Sequence, residues 1–326
     1  MPAGSALPQK AADLTAGAAL AGTPAMVVIL GPTASGKSAV ATAVAARLRG
    51  EILSIDSMQV YRGMDIGTAK PTREERSAIP HHITDVADPD TSFTVAKFVE
   101  LADAVIQNHG TPTTDHGPTL IATGGTPLYY KALFEGLFDG PPADPAVRDR
   151  LSAEAGEDLH RRLTAVDPQA AARIHANDTR RVVRALEVFE ITGKPISSFQ
   201  TDWDAPAHRH RAVWFGLHWD KDALNRRINA RTKKMVADGW VDEVRGLLDR
   251  YGELSPTAGE ATGYRQLIEA VRGNRPLDDA IEQVKIATRQ LARKQMKWFR
   301  RFPNVAWLPG DQPVESLAER IIAGSR

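Results

Sequence analysis

No cysteine occurs in the 326 residues, which excludes disulfides, thiolate metal sites, cysteine-based zinc fingers and thiol catalysis together. Without that mark of an oxidising compartment, the composition points to the cytoplasm. No apolar run approaches the roughly 18 residues that a membrane-spanning helix requires, so no membrane partner is expected. No basic start precedes a compact apolar stretch at the amino end either. Residues 1–24 are Ala/Gly-rich and interrupted by Asp13, the pattern of a disordered leader rather than of a signal peptide. Neither sign of charge dominates, with 41 Lys and Arg against 40 Asp and Glu. Only the placement of charge is informative. What the chain does have is 42% hydrophobic residues and a length suited to two domains, or to one with a sizeable insertion, at about 150 residues per domain.

The run Ala25-Met-Val-Val-Ile-Leu30 is continuously apolar and ends at glycine, as buried parallel strands do. An alanine-rich helix follows over 37–49, with Val40, Val44 and Leu48 on one face, then a short strand over 52–55. Helical spacing over 93–109, a strand over 118–123 and a helix after Gly124-Gly125 continue the alternation. The fold class is α/β: a P-loop parallel sheet flanked by helices. Composition shifts at Gly140-Pro-Pro, after which the pattern is helical, with a break at Asp167-Pro168, a helix over 178–192 and a loop over 193–211. Strand character returns over 212–219 and again over 305–308. The expected organisation is a catalytic core over 25–140 and 211–326, ending in helices, with a helical insertion domain over 141–210.

Gly31-Pro32-Thr33-Ala34-Ser35-Gly36-Lys37-Ser38 has two glycines spaced for a P-loop, followed by Lys and Ser, and sits between a strand and a helix. Glycines allow a tight turn whose N–H groups form an anion nest at a helix N-terminus. Lys37 adds a positive charge for phosphate, and the Ser38 hydroxyl is placed to ligate Mg²⁺. A polyphosphate ligand follows. The later strand ends in Gly124-Gly125-Thr126 without the carboxylate that NTP hydrolases use for Mg²⁺, and no Asn-Lys-x-Asp guanine-reading tetrapeptide is present. Motor and switch functions are weakened by these absences. A small-molecule or nucleoside kinase stays open, as does a non-catalytic RNA-binding P-loop protein.

Asp56 follows the second strand, beside the P-loop, where doubly wound sheets bind their ligands. From position alone it is either a cap or Mg²⁺-linked acid, or a carboxylate ionised at pH 7 and ready to take a proton. Lys285, Arg289, Arg293, Lys297 and Arg301 recur every fourth residue, a basic row on one helix face, and no acid interrupts 285–301. Such a run is either a solvated face or a field for nucleic-acid phosphates. Arg180, Arg181 and Arg184 form a second basic cluster, and Arg148 opens the insertion. His81-His82 lacks a third ligand at metal-site spacing, so a structural or RNA-edge role suits it better. Trp298, Phe299 and Trp307 suit the core, and Glu187 with Glu190 suits a helix face rather than a catalytic pair.

The stretch Asp56-Ser57-Met58-Gln59-Val-Tyr-Arg-Gly-Met-Asp-Ile-Gly-Thr-Ala-Lys-Pro, joined to the P-loop, resembles the tRNA dimethylallyltransferases. His81-His82 with Asp85, Gly124-Gly125-Thr126 with Leu128-Tyr129, and Asp144-Pro with Arg148 extend the likeness. So do Asp178 with Arg180, Arg181 and Arg184-Ala-Leu-Glu-Val, Gly263-Tyr-Arg265-Gln266 and Thr288-Arg289-Gln290-Leu-Ala-Arg293-Lys-Gln295. The likeness spans about 26–308, and the absence of cysteine leaves no zinc-finger tail, which is the bacterial type. It implies transfer of a dimethylallyl group from dimethylallyl diphosphate to N6 of adenosine 37, beside the anticodon, in tRNAs reading codons that begin with U. By resemblance the nest, Lys37, Ser38 with Mg²⁺, and Arg231 hold the leaving diphosphate, and Asp56 is the general base. The implied contacts to the tRNA anticodon stem-loop are Asp56, Ser57, Met58, Gln59, Thr126, Arg148, Arg180, Arg181, Arg184, Arg265, Arg289 and Arg293. A monomer is expected.

Overall fold

The computed structural model describes residues 26–109, 119–136, 140–199 and 209–325, so the leader expected over 1–24 lies outside the described residues. In chain order the elements are β1 (Met26–Leu30), α1 (Lys37–Leu48), β2 (Glu51–Ser54), α2 (Arg73–Ala78), β3 (His81–His82), α3 (Val95–Asn108), β4 (Leu120–Thr123) and α4 (Pro127–Glu135). Five helices follow: α5 (Pro145–Ser152), α6 (Gly156–Val166), α7 (Pro168–Arg173), α8 (Thr179–Thr192) and α9 (Ile196–Phe199). The chain continues through β5 (Val213–His218), α10 (Lys221–Ala237), α11 (Trp240–Tyr251), α12 (Tyr264–Val271), α13 (Leu277–Phe299), β6 (Val305–Pro309) and α14 (Val314–Gly324).

The six strands form one parallel sheet in the order β3-β2-β4-β1-β5-β6. β1 lies inside it, pairing Val28 with Ala122 on one side and with Trp214 on the other. Its five residues are all buried, which explains why the apolar run does not alternate. α1 packs through Val40, Ala41, Val44 and Ala45 onto a core that includes Val27, Ile29, Ile121 and Phe215. Alanine on that face brings the helix axis close to the sheet. α1 stops where Arg49 enters the left-handed region at φ 51°.

Where spacing suggests strands over 52–55 and 118–123, the pairing holds Glu51–Ser54 and Leu120–Thr123, with position 118 outside the described residues. Helix α3 starts two residues later than its apolar spacing, because Thr94 is its N-cap and accepts from Lys97 N–H. The loop expected over 193–211 contains the short helix α9. β3 is a two-residue edge strand, too short for any periodicity to reveal.

The chain divides into two compact units, residues 1–129 with 210–326 and residues 130–209, where composition sets the insertion at 141–210. The second has its own core, in which Leu159 and Leu163 of α6 meet Val182, Leu186 and Val188 of α8. Buried Asp167 explains the break before Pro168: one carboxylate oxygen caps α7 at Ala170 N–H, and the other accepts from Ser197 N–H at the start of α9.

Candidate functional site

The turn over 31–38 leaves the carboxyl end of β1, where a parallel sheet opens its ligand crevice. Ala34 and Gly36 both take positive φ, at 63° and 90°, in the kind of turn that directs successive N–H groups into one hollow. A side chain on Gly31 would bring its Cβ to 2.6 Å from Ser35 Oγ, so any other residue there would force the serine hydroxyl to turn away. Lys37 is buried, with Nζ 3.4 Å from Pro32 O, while Ser38 is exposed on the first turn of α1. Ala34, Gly36, Lys37, Ser38, Arg227 and Arg231 line one depression.

Two residues that sequence reasoning passed over shape its wall. Arg227 donates from Nε to Ala34 O at 2.9 Å and stacks 4.4 Å above the Trp219 ring. Trp219 in turn donates from Nε1 to Ser35 O at 3.0 Å. The available signal was the four-residue spacing of Arg227 and Arg231, which puts both on one face of α10.

Asp56 lies two residues beyond β2. Its Oδ1 accepts from Met58 N–H at 2.9 Å and, more weakly, from Gln59 N–H at 3.4 Å, so the capping role weighed from sequence is real. Oδ2 faces Gly125, where an added Cβ would stand 3.2 Å away. Gly124 crosses the backbone so tightly that a Cβ there would lie 2.0 Å from Ile55 O; no other residue fits. That crossing sets Thr126 against Ser57. Ser57 N–H donates to Thr126 Oγ1 at 2.9 Å, and the Thr126 hydroxyl donates to Ser57 Oγ at 3.1 Å. Gln59 is tied by Ser54 Oγ to its Oε1 at 3.0 Å and by its own Nε2 to Ala69 O at 3.3 Å.

Buried Gln295 of α13 joins the two loops: Thr33 N–H donates to its Oε1 at 2.8 Å, and its Nε2 donates to Gly125 O at 2.7 Å. One side chain thus spaces the phosphate turn against the Gly-Gly-Thr turn that adjoins Asp56. A further anchor is Glu243, which accepts from the N–H groups of Asp65, Ile66 and Gly67 and from Tyr264 OH.

Electrostatics bind the centre together. Burial pushes the Lys37 amine down to about 8; Asp56 opposes that shift and Arg231 adds to it. Burial likewise pulls the Arg231 guanidinium down, against Asp56 and with Arg227. Lys37, Arg231 and Asp56 therefore share one field. Burial raises the Tyr129 phenol, with Tyr61 and Asp56 adding to it, so that ring stays neutral beside the carboxylate.

The sequence profile of the IPP transferase family matches residues 59–302, and that of the isopentenyl transferases matches 24–81. The chain belongs to the IPP transferase family. It is 44% identical over 301 residues to the tRNA dimethylallyltransferase of Geobacter metallireducens, covering 91% of this chain and 96% of the relative. The enzyme of that name from Corynebacterium efficiens is also 44% identical, with 91% and 98% covered. Among solved structures, the tRNA isopentenylpyrophosphate transferase of Bacillus halodurans superposes with a TM-score of 0.66 at 37% identity, over 92% of this chain and 96% of that one. A eukaryotic dimethylallyltransferase, in a structure described as acting on tRNA, superposes with a TM-score of 0.75 at 26% identity, over 88% and 74%.

This IPP transferase distributes its arginines less simply than the sequence suggests. The row from Lys285 to Arg301 is not one exposed face. Lys285 is buried and paired with Glu282, Arg289 donates to Asn229 Oδ1 at 2.7 Å, and Arg293, Lys297 and Arg301 are exposed. A four-residue step overshoots a helical turn by about 40°, so five residues at that spacing wind well round the helix. Arg265 is exposed on the first turn of α12. In the unit over 130–209, Glu187 is fully buried rather than on a solvent face. Arg148 clasps it with two hydrogen bonds of 2.9 and 3.1 Å, Arg184 adds one of 2.6 Å, and Asp144 N–H donates a fourth. Of the two guanidiniums on this carboxylate, Arg148 is the more exposed, at 43%. Arg180 and Arg181 are exposed on the first turn of α8. Phe299 is core, as expected, while Trp298 and Trp307 are half-buried.

The Lys37 shift has a sign that an experiment reads. The amine is charged below about pH 8 and neutral above it, and a bound anion favours the charged form. Pyrophosphate affinity should therefore weaken above pH 8 by up to about tenfold per unit, with binding taking up a proton there. Calorimetry at pH 7 and 9 in buffers of different ionisation enthalpy measures that uptake, and Lys37→Met subtracts the titration of the ligand itself. Equal uptake by both proteins at pH 9 would exclude Lys37 as the group responsible.

Proposed function

We propose that this chain transfers the dimethylallyl group of dimethylallyl diphosphate to N6 of adenosine 37 in tRNAs reading codons that begin with U. The observation that carries the reading is that Lys37 and Arg231, which line the depression at the P-loop turn, both feel the charge of Asp56. The cations suit a departing diphosphate, and a carboxylate within their field suits a proton leaving an amine. The names carried by relatives over nine-tenths of the chain support transfer over the kinase and the non-catalytic RNA-binding alternatives.

The adenine amine is a poor nucleophile because its lone pair is drawn into the ring. As N6 bonds to C1 of the allyl group, the C1–O bond breaks and its electron pair leaves with the diphosphate. The nest, Lys37 and Arg231 stabilise the charge that grows on that leaving group. Asp56 takes the N6 proton through Oδ2, since Oδ1 is engaged with backbone N–H groups. Ser57, Met58, Gln59 and Thr126 then border the acceptor base, and the base must leave its loop stack to reach them, a cost of a few kcal/mol. Mg²⁺ fits the site chemically, since the exposed Ser38 hydroxyl beside Lys37 is a hard oxygen donor. It would neutralise diphosphate charge there. Arg148, Arg180, Arg181, Arg184, Arg265, Arg289 and Arg293 are the groups proposed to meet tRNA phosphates. We read the enzyme as a cytoplasmic monomer.

The test is incubation with labelled dimethylallyl diphosphate and unmodified tRNA. Label should enter RNA at a single adenosine with release of diphosphate. Label that stays out of RNA while ATP-derived phosphate appears on a metabolite would overturn the proposal.

A further inference from the structure

At the β3 side of the sheet, Glu51, His82 and His109 converge although the sequence separates them widely. Glu51 opens β2, His82 ends the edge strand β3, and His109 caps the C-terminus of α3. Glu51 Oε2 lies 2.6 Å from His82 Nε2 and 2.8 Å from His109 Nε2, and the two rings meet edge to face, 5.2 Å apart. One ligand atom from each falls within 4.8 Å of the others, and all three residues are half-buried. None of them belongs to the phosphate turn or to the Asp56 loop.

The decisive detail is the state of His109. Its Nδ1 stands 3.3 Å from Val105 O, the position of an N–H donor to that carbonyl. A neutral imidazole carries one N–H, so Nε2 is then left with a lone pair. That Nε2 is buried and has no hydrogen-bond partner, although the Glu51 carboxylate is only 2.8 Å away. Two lone pairs held face to face repel unless a proton or a metal ion lies between them. A ring whose far nitrogen donates to a backbone carbonyl is also the arrangement that orients histidine ligands in metal sites.

We propose that Glu51, His82 and His109 form a binding site for a divalent transition-metal ion, with Zn²⁺ the best match, that ties the end of α3 to β2 and β3. Two imidazoles and one carboxylate disfavour Mg²⁺ and Ca²⁺, which take oxygen ligands, and suit Zn²⁺ at about 2.0–2.2 Å from each donor. Three protein ligands leave a fourth position for water. Ligand atoms on a tetrahedral ion lie about 3.3 Å apart, so Glu51 and the two imidazoles need to part by roughly 0.5–0.7 Å to admit it, a movement available to a half-buried edge strand and a helix end. The consequence reaches toward the active-site loop, because the chain leaving His82 runs beside residues 59–61: Asp85 N–H donates to Gln59 O and Val86 N–H to Val60 O. A bound ion would steady that strip.

The experiment is titration of the chelator-stripped full-length protein with Zn²⁺ against a chromophoric competitor, repeated with Co²⁺ to read its visible absorption. Wild type should bind one equivalent at micromolar affinity or tighter and melt at a higher temperature with the ion present. His109→Gln and His82→Gln, each checked for folding by circular dichroism, should weaken that equivalent at least tenfold and abolish the Co²⁺ bands. The wild-type chain has nine histidines, so binding that persists unchanged in both variants would place the ion elsewhere and overturn the proposal. Failure of wild type to bind 100 µM Zn²⁺, roughly a hundredfold above the expected constant, would also overturn it.

Discussion

Asp56→Asn should lower the rate of prenyl transfer by about 10²–10⁴-fold while leaving tRNA affinity nearly unchanged. Asparagine retains an oxygen to accept from Met58 and Gln59 N–H, so the turn that Oδ1 caps survives and only the basicity of the group is lost. The substitution also strips the nearest anion from Lys37 and Arg231. Those cations then meet an incoming diphosphate without competition, so pyrophosphate should bind as well as to wild type or better. A base and a mere cap are thereby separated. If Asp56 only shaped the loop, Asn would be nearly silent, and Ala, which deletes the cap as well, would be the damaging change. Single-turnover transfer, tRNA affinity and pyrophosphate affinity measured on Asn and Ala variants decide it: a drop of less than tenfold in Asp56→Asn, or one that follows tRNA affinity, removes Asp56 from the chemistry.

What the sequence disclosed follows from how far apart the interacting residues lie. The phosphate turn was legible because its glycines, Lys37 and Ser38 sit within eight positions, and the strand and helix around it have complete apolar patterns. Asp56 was legible for a similar reason, as a carboxylate just past a strand end. The Gln295 clamp was not, because it joins positions 33 and 125 through a helix that begins at 277, and a glutamine inside a helix carries no mark of being buried. His81-His82 looked like a pair short of a ligand; pairing of β3 with β2 brings Glu51 to it and the end of α3 brings His109. Lys285 misled in the opposite direction. Four-residue spacing reads as one face over two turns, but the drift over four steps carries the first lysine into the interior. Glu187, surrounded in sequence by arginines and apolar residues, gave no hint that it would be the buried anion they enclose.

Lys70→Met should destabilise the fold by about 1.5–3 kcal/mol at pH 7, the usual worth of hydrogen bonds to a charged group. The Lys70 side chain is 1% exposed, and its ammonium donates to Tyr61 O, Asp65 and Asp85, so all three of its protons are engaged. Asp65 is largely exposed and contributes little once screened, which leaves Asp85 and the buried carbonyl of Tyr61 to carry the loss. Burial by itself raises the Asp85 carboxyl. Hydrogen bonds and ion pairs with Lys70 and Arg76 outweigh it and hold the group below its ordinary value. A carboxyl depressed in this way contributes stability above its unfolded value near 3.8, and that contribution is lost as pH falls through the folded value. In Lys70→Met the burial effect meets only Arg76, so Asp85 protonates at higher pH and the acid slope shrinks. The gap between wild type and variant should therefore be widest near neutrality and should begin to narrow below about pH 4, the share owed to the Tyr61 carbonyl persisting. Urea unfolding at pH 7 and at pH 3.5 measures both gaps. A loss under about 1 kcal/mol at pH 7, within the range of exposed ion pairs, would show that the Asp65–Lys70–Asp85 network does not brace the loop that leads from Gln59 to the candidate site.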